Sequence, residues 1–448
     1  MTRALYWFTR DLRLHDNPGL VRAASADLLL CVFVVDPRWF QPGPFQCRPV
    51  GEHRWRFLWG SLMALDDELK ARGNRLHIAW GGPEQAITAL CRGYDIDELH
   101  GARLPGTREA QQWSEVCSGM PDLRTQSHES LTLFEQADLP FISPEDPVLS
   151  GLPDTFSAFR RQLEKAGTTP RPPLPAPDNL PPAPGLPQDA RDQCPRTVSG
   201  NTAVDFAPGE AAALAHWRRY LWADQQIVSY KETRNALDDW PSSAKLSPWL
   251  ANGCLSPRQV AADIQAFESQ VVQNDSTYWL YFELLWREYF QWMAFAQGKA
   301  MFQRDGVQRL RRNATFYGHR FQAWCQGNTE YPLVNAAMNQ LRETGYLSNR
   351  ARQIVASCFV NELELDWRYG AAWFEQQLVD YDVASNYGNW QYLAGVGADP
   401  RGKRHFDLDK QTRQFDPDRA YIRKWRGDSQ QAVGLHTVDA ADWPIGLG

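Results

Sequence analysis

Several features are missing from this 448-residue sequence. No run of about 18 or more residues is free of charge, so no segment reads as a membrane-spanning helix. The opening segment, MTRALYWFTRDLRLHDNP, has no long apolar core and carries Asp11 and Asp16. That argues against export and makes the cytoplasm the expected location. None of the eight Cys forms a CxxC pair. This argues against zinc ribbons and iron–sulfur clusters, and it predicts reduced, buried thiols and no metal site. No GxGxxG follows the first apolar run, so a standard dinucleotide fingerprint is absent. No internal repeat is present. Positive charge is in short supply overall, with a formal net charge of -6, but it is unevenly spread. Residues 1–150 carry 15 Lys and Arg against 20 Asp and Glu; residues 278–353 carry 10 against 5, and residues 399–426 carry 9 against 5. Local basic surface can attract a polyanion even on an acidic protein. A solvated charged face is the simpler explanation of either stretch taken alone.

What the chain has in excess is tryptophan: 19, against 15 Tyr and 21 Phe. In the first third, apolar runs of strand length (5–9, 28–36, 75–80 and the weaker 95–101) alternate with helical patterns such as 52–72. This alternation predicts an α/β domain with a doubly wound parallel sheet over 1–135. Nine Pro fall within 170–187, and the surrounding 136–204 reads as an extended Pro-rich connector. From 205 to 448 the pattern is helical almost throughout. Ser247-Pro248 and Ser256-Pro257 fit helix starts, with Ser as cap and Pro in the first turn.

Four segments of the helical half could carry chemistry. In 278–297 the apolar residues run nearly all round, yet Glu283, Arg287 and Glu288 lie in the middle. Glu283, Trp286 and Arg287 share one face, and an internal Glu283–Arg287 bridge is the expected way to pair the charges. In 380–392, Asp382, Asn386 and Trp390 fall four apart on one helical stripe, able to bind and stack near a planar ligand. The plainer alternative is an Asp cap, a solvated Asn and a core Trp. Segment 242–258 offers Ser hydroxyls, Lys245 and a helix start suited to a phosphate, or simply an ordinary capped helix. Segment 346–353 sets Asn349, Arg350, Arg352 and Gln353 together, with at most one Arg expected to face a ligand beside Asn349 and surface Arg as the alternative.

Read in order, these segments resemble the photolyase/cryptochrome family, most closely its DASH branch. The resemblance runs nearly end to end: YWFTRDLRLHDNP, YKETRNAL (230–237), KLSPWLANGCLSPR (245–258), FELLWREYF (282–290), TGYLSNRARQIVAS (344–357), LDWR (365–368) and DYDVASNYGNWQY (380–392). It implies a photolyase-like fold, an α/β antenna-type domain followed by an all-α FAD-binding and DNA-binding domain. It implies FAD held by Tyr230, Ser243, Ala244, Lys245, Leu246 and Ser247 around the pyrophosphate. It further implies FAD or lesion-pocket contacts from Glu283, Arg287, Asn349, Arg352, Asp380 and Asp382, with Asn386 beside flavin N5. Ala244 replaces the usual Thr or Ser.

The implied reaction is light-driven splitting of cyclobutane pyrimidine dimers by electron transfer from reduced FAD. The dimer is flipped into the pocket, with Trp286 as stacking wall, Glu283 as partner to the dimer carbonyls, and Asn349 and Asn386 nearby. Arg350, Gln353 and Tyr392 are the implied DNA contacts. Gln353 and Tyr392 fill positions held by Met and Trp in duplex-acting photolyases, which implies a preference for single-stranded DNA. Trp390 and Trp367 match the inner members of the family's electron relay. Ala314 stands where the outer Trp is expected, with Trp324 or Tyr317 as possible substitutes. Glu330 replaces a family Gly, and Asn335 a family Asp. Leu104 stands where a folate-binding Glu is expected, which speaks against a folate antenna (methenyltetrahydrofolate). A monomer acting on dimer-containing DNA is the first reading. A blue-light photoreceptor is the second, set back by the roughly twenty residues left after 426 for a signalling tail. A nucleotide-binding α/β protein without light chemistry is the third.

Overall fold

In a computed structural model, the structure describes residues 1–429 except 144, 147, 186, 188, 198–205, 311–314 and 399–403. The apolar runs form a five-stranded, all-parallel sheet: β1 (Arg3–Phe8), β2 (Leu28–Val35), β3 (Leu76–Trp80), β4 (Glu98–Ala102) and β5 (Arg124–His128), in the order β3-β2-β1-β4-β5. Helices α1 (Pro18–Ala23), α2 (Glu52–Lys70), α3 (Pro83–Gly93) and α4 (Thr107–Gly119) are the crossovers. The chain reverses direction across the sheet between β1 and β4, the switch point at which such sheets bind ligands. After α5 (Phe156–Ala166) comes the Pro-rich stretch. Among its described residues it forms no regular element, but its carbonyls are used. Pro182 accepts from Leu29 N (3.0 Å), Pro181 from Asn74 Nδ2 (2.6 Å) and Pro177 from Arg72 Nε (3.1 Å). Proline cannot donate from its backbone, yet its oxygen accepts as well as any, so the segment lies against the sheet domain.

The rest is helical: α6 (Glu210–Arg218), α7 (Tyr230–Thr233), α8 (Ser247–Asn252), α9 (Pro257–Gln270), α10 (Asp275–Gln297), α11 (Gly318–Gln326), α12 (Pro332–Thr344), α13 (Asn349–Asn361), α14 (Trp367–Gln377), α15 (Val383–Ala394), α16 (Leu408–Phe415) and α17 (Ala420–Lys424). Ser256 caps α9 as its sequence predicts, accepting from Arg258 N (3.1 Å). Ser247 does not cap α8. Leu246 occupies the cap position without a side-chain bond, and Ser247 is the first helical residue. Trp217, Trp249, Trp292, Trp324 and Trp390 are fully buried, which accounts for part of the Trp excess as core packing.

Two halves are knit by buried polar groups rather than by apolar contact alone. Asp16 accepts from Arg258 Nε (2.9 Å) and from the Ser256 hydroxyl. Arg13 donates to Gly253 O (3.0 Å) and Ser130 O (2.7 Å). Gly253, at φ +72, brings α8 so close to Arg10 and Asp11 that a Cβ there would overlap Arg10 O. All eight Cys are unpaired, and seven of them are buried. Among the described residues no helix is long and apolar enough to cross a membrane.

Candidate functional site

Helices α10, α13 and α15, with the loop before α8, enclose a cavity of about 440 Å³. Tyr230, Ser243, Ala244, Lys245, Leu246, Ser247, Glu283, Trp286, Arg287, Asn349, Arg352, Gln353, Asp380, Asp382, Asn386, Trp390 and Tyr392 all line it. Four separate sequence segments therefore converge on one concave, partly apolar space of cofactor size.

On α10 the helical repeat aims Glu283, Trp286, Arg287 and Phe290 at the cavity. The expected Glu283–Arg287 bridge does not form. Glu283 pairs instead with Arg234 Nη1 at 2.5 Å, and Arg287 donates to Leu131 O (2.6 Å) and Leu250 O (3.4 Å). Tertiary partners from three other segments satisfy the charges that helical spacing alone would have paired. Burial pushes the Glu283 carboxyl up from its ordinary value, against the pull of Arg234. Trp286 is stacked on one face by Phe156, with centroids 3.9 Å apart and rings 16° from parallel, while Tyr392 stands edge-on at 5.9 Å.

The loop before α8 carries Lys245 in the left-handed region, at φ +53. Its ammonium reaches Ser243 Oγ (3.1 Å), and burial draws its pKa down to about 8, with Arg352 acting in the same direction. Asp380 accepts from Arg352 Nη2 (2.7 Å). Asp382 accepts from Gln291 Nε2 at both oxygens (2.9 Å) and caps α15 through Ser385 N (2.7 Å). Burial raises Asp382, but Arg287, Arg10 and the Ser385 N–H outweigh it and hold the carboxyl below its usual value. Asn386 donates to Ala371 O (3.1 Å).

Two buried polar atoms on the cavity wall, Asp380 Oδ1 and Trp390 Nε1, have no protein partner. Buried polar groups are normally satisfied. Together with Lys245 and the serines, they fit a large polar cofactor with an anionic portion.

Two expected residues lie off this cavity. Arg350 donates to Asn235 Oδ1 (3.1 Å) and lies over the Phe415 ring at 4.7 Å. Trp367, at the start of α14, donates to Arg304 O (3.1 Å). Gly370, one turn on, packs directly against the Trp390 ring. Trp324 stands 6.2 Å from Trp390, and Arg320 covers Tyr317 at 4.2 Å. Ala314 lies outside the described residues. Phe156 and Arg234 complete the site without having been read as site residues. Phe156 is 130 positions from its stacking partner, and nothing local marks it. Arg234 sits within YKETRNAL, so the motif held a signal for it. A second cavity of about 280 Å³ opens at the β1/β4 switch point, with Trp113, Glu109 and Leu104 on its wall.

Comparison with known proteins agrees with this geometry. Residues 4–178 match the family described as DNA photolyase, and residues 279–433 match the FAD binding domain of DNA photolyase. The sequence is 45% identical to a cryptochrome DASH of Idiomarina loihiensis, covering 98% of this chain and 96% of that one. The chain belongs to the photolyase/cryptochrome family, in its DASH branch. The fold of this DASH-branch chain superposes on a Synechocystis cryptochrome with a TM-score of 0.89 at 36% identity, over 99% of this chain and 93% of the other. It also matches a class III photolyase of Agrobacterium tumefaciens with a TM-score of 0.81 at 27% identity, over 95% and 86%. The helical half is thus a FAD-binding domain, and FAD is its cofactor.

Proposed function

We propose that this chain repairs cyclobutane pyrimidine dimers in DNA under blue light, preferring single strands, with FAD held in the cavity between α10, α13 and α15. The observation that carries the reading is the convergence on one cavity of two sets of residues. Glu283 and Trp286 present a carboxyl and an aromatic face beside the residues suited to a flavin nucleotide. When bound, reduced FAD supplies the electron that opens the dimer.

The remaining roles belong to the chain. Lys245, Ser243 and Ser247 would hold the pyrophosphate, with Tyr230, Ala244 and Leu246 beside them on the cavity wall. Arg352, Asp380, Asp382 and Arg287 form the polar wall, and Asn386 offers an amide beside the flavin ring. Glu283 hydrogen-bonds the dimer, with Asn349 beside it. Trp286, backed by Phe156, provides a rigid stacking face. Arg350, Gln353 and Tyr392 meet the strand. A Tyr edge and a Gln offer less stacking surface than a Trp and a Met. A base already unpaired in a single strand needs less compensation for leaving the helix. Trp390 and Trp367 pass electrons inward.

The test is illumination of FAD-loaded protein with a dimer-containing oligonucleotide. Glu283→Gln is expected to lower the repair yield about tenfold or more, the worth of a charge-assisted hydrogen bond, with the flavin spectrum unchanged. Unaltered repair by this variant would remove Glu283 from the mechanism. Absence of repair by the wild type would leave the photoreceptor reading.

A further inference from the structure

The motif TRDLRLHDNP lies in the sheet domain, remote in sequence from every cavity residue, yet Arg10 reaches the cavity wall. Its Nη1 lies 4.0 Å from Asp382 Oδ2 and donates to Tyr381 O (3.5 Å), while Nη2 lies 3.7 Å from Glu109 Oε1. Its guanidinium sits 5.4 Å from the Tyr381 ring centroid, and that of Arg54 sits 4.4 Å from it. Among the described residues Arg10 is the cation within 4 Å of Asp382. Arg287, the other cation facing it, donates to the carbonyls of Leu131 and Leu250.

We propose that Arg10 is a positioning residue of the FAD cavity: it keeps Asp382 charged, and so keeps α15 capped with Asn386 in place. This rests on the reading that FAD occupies the cavity between α10, α13 and α15. The chain of contact is short. Asp382 caps α15 through Ser385 N (2.7 Å), and Asn386 follows one turn later. A charged cap stabilises a helix start through its bond and through the helix dipole. Asp382 faces Arg10 from the loop after β1, Arg287 and Gln291 from α10, and Ser385 from its own helix. Arg10 in turn faces Glu109 from α4, Glu375 from α14, and Tyr381. A planar, permanently charged fork serves these partners at once, which a lysine cannot do as well.

The experiment follows FAD release from the holoprotein by flavin fluorescence between pH 4 and 8. Removing the positive charge weakens the hold on the Asp382 proton equilibrium, so the release midpoint of Arg10→Gln is expected about one pH unit or more above that of the wild type. Arg10→Lys is expected to recover part of that shift. In an Asp382→Asn background, Arg10→Gln is expected to add no further shift. Superimposable profiles for wild type and Arg10→Gln, or an equal shift in the Asp382→Asn background, would overturn the proposal. Should Arg10→Gln lose its helical circular dichroism, Arg10→Lys with and without Asp382→Asn decides in the same way. Failure of the cavity reading itself has a different signature: FAD release unchanged by Asp380→Ala at every pH.

Discussion

Glu283 and Glu288 lie on the same helix and have opposite environments. Glu283 faces the cavity and pairs with Arg234, while Glu288 is wholly buried against the sheet domain, accepting from Leu133 N (2.8 Å), Phe134 N (3.2 Å) and Trp292 Nε1 (2.6 Å). Burial pushes Glu288 up to about 7. The sequence marks both as anomalous charges in an apolar helix. It cannot show their partners, which come from the 130s and from 234. A second pair of residues gives a pH prediction. His100 Nδ1 and His128 Nε2 lie 3.2 Å apart on β4 and β5, with Glu98 beside them. Burial, then His100 and Arg22, draw His128 down to about 4. The folded state therefore binds fewer protons than the unfolded state between pH 6.5 and 4. The stability this pair contributes is complete above pH 6.5 and is lost as pH falls through that window. Urea midpoints of wild type and His128→Asn at pH 7.5 and 4.5 should show the wild type losing about 1 kcal/mol more on acidification, a figure reduced for partial exposure. Parallel losses would contradict this.

At the scale of elements, β1 to β3 were legible because fully buried parallel strands read as apolar runs. The fifth strand, RTQSH, is mostly exposed at the sheet edge and has no apolar run to announce it. In the helical half, the stripe Asp382, Asn386 and Trp390 is both things its pattern allowed. Asp382 caps, Trp390 is core, and all three line the cavity. The approach of α14 to α15 was not legible, because it depends on the missing side chain of Gly370. A Cβ there would lie 2.2 Å from Trp390 Cη2. Gly370→Ala is expected to destabilise by about 1–3 kcal/mol, the range for overpacking, and to displace Trp390. Thermal unfolding and the rate of flavin photoreduction check it. A variant equal to wild type in both would show that the two helices separate freely.

At the scale of the whole molecule, buried ion pairs and carbonyl contacts join the sheet domain to the cofactor domain. The first motif, including Asp16 and Arg13, holds the halves together, and Arg10 reaches Asp382 on the cavity wall. Domain order, cofactor class and most of the cavity wall could be read from motifs in sequence. The partners of the buried charges could not, because each is supplied by a distant segment. Light-driven dimer splitting on single strands is the proposed activity. The direct measurement is the rate of dimer loss from one oligonucleotide, single-stranded and in duplex, with FAD fully reduced, in blue light and in darkness. Loss is expected in light only, faster on the single strand by about tenfold, since no base pair must be broken. No loss in light, or a rate on duplex equal to or above that on the single strand, would contradict it.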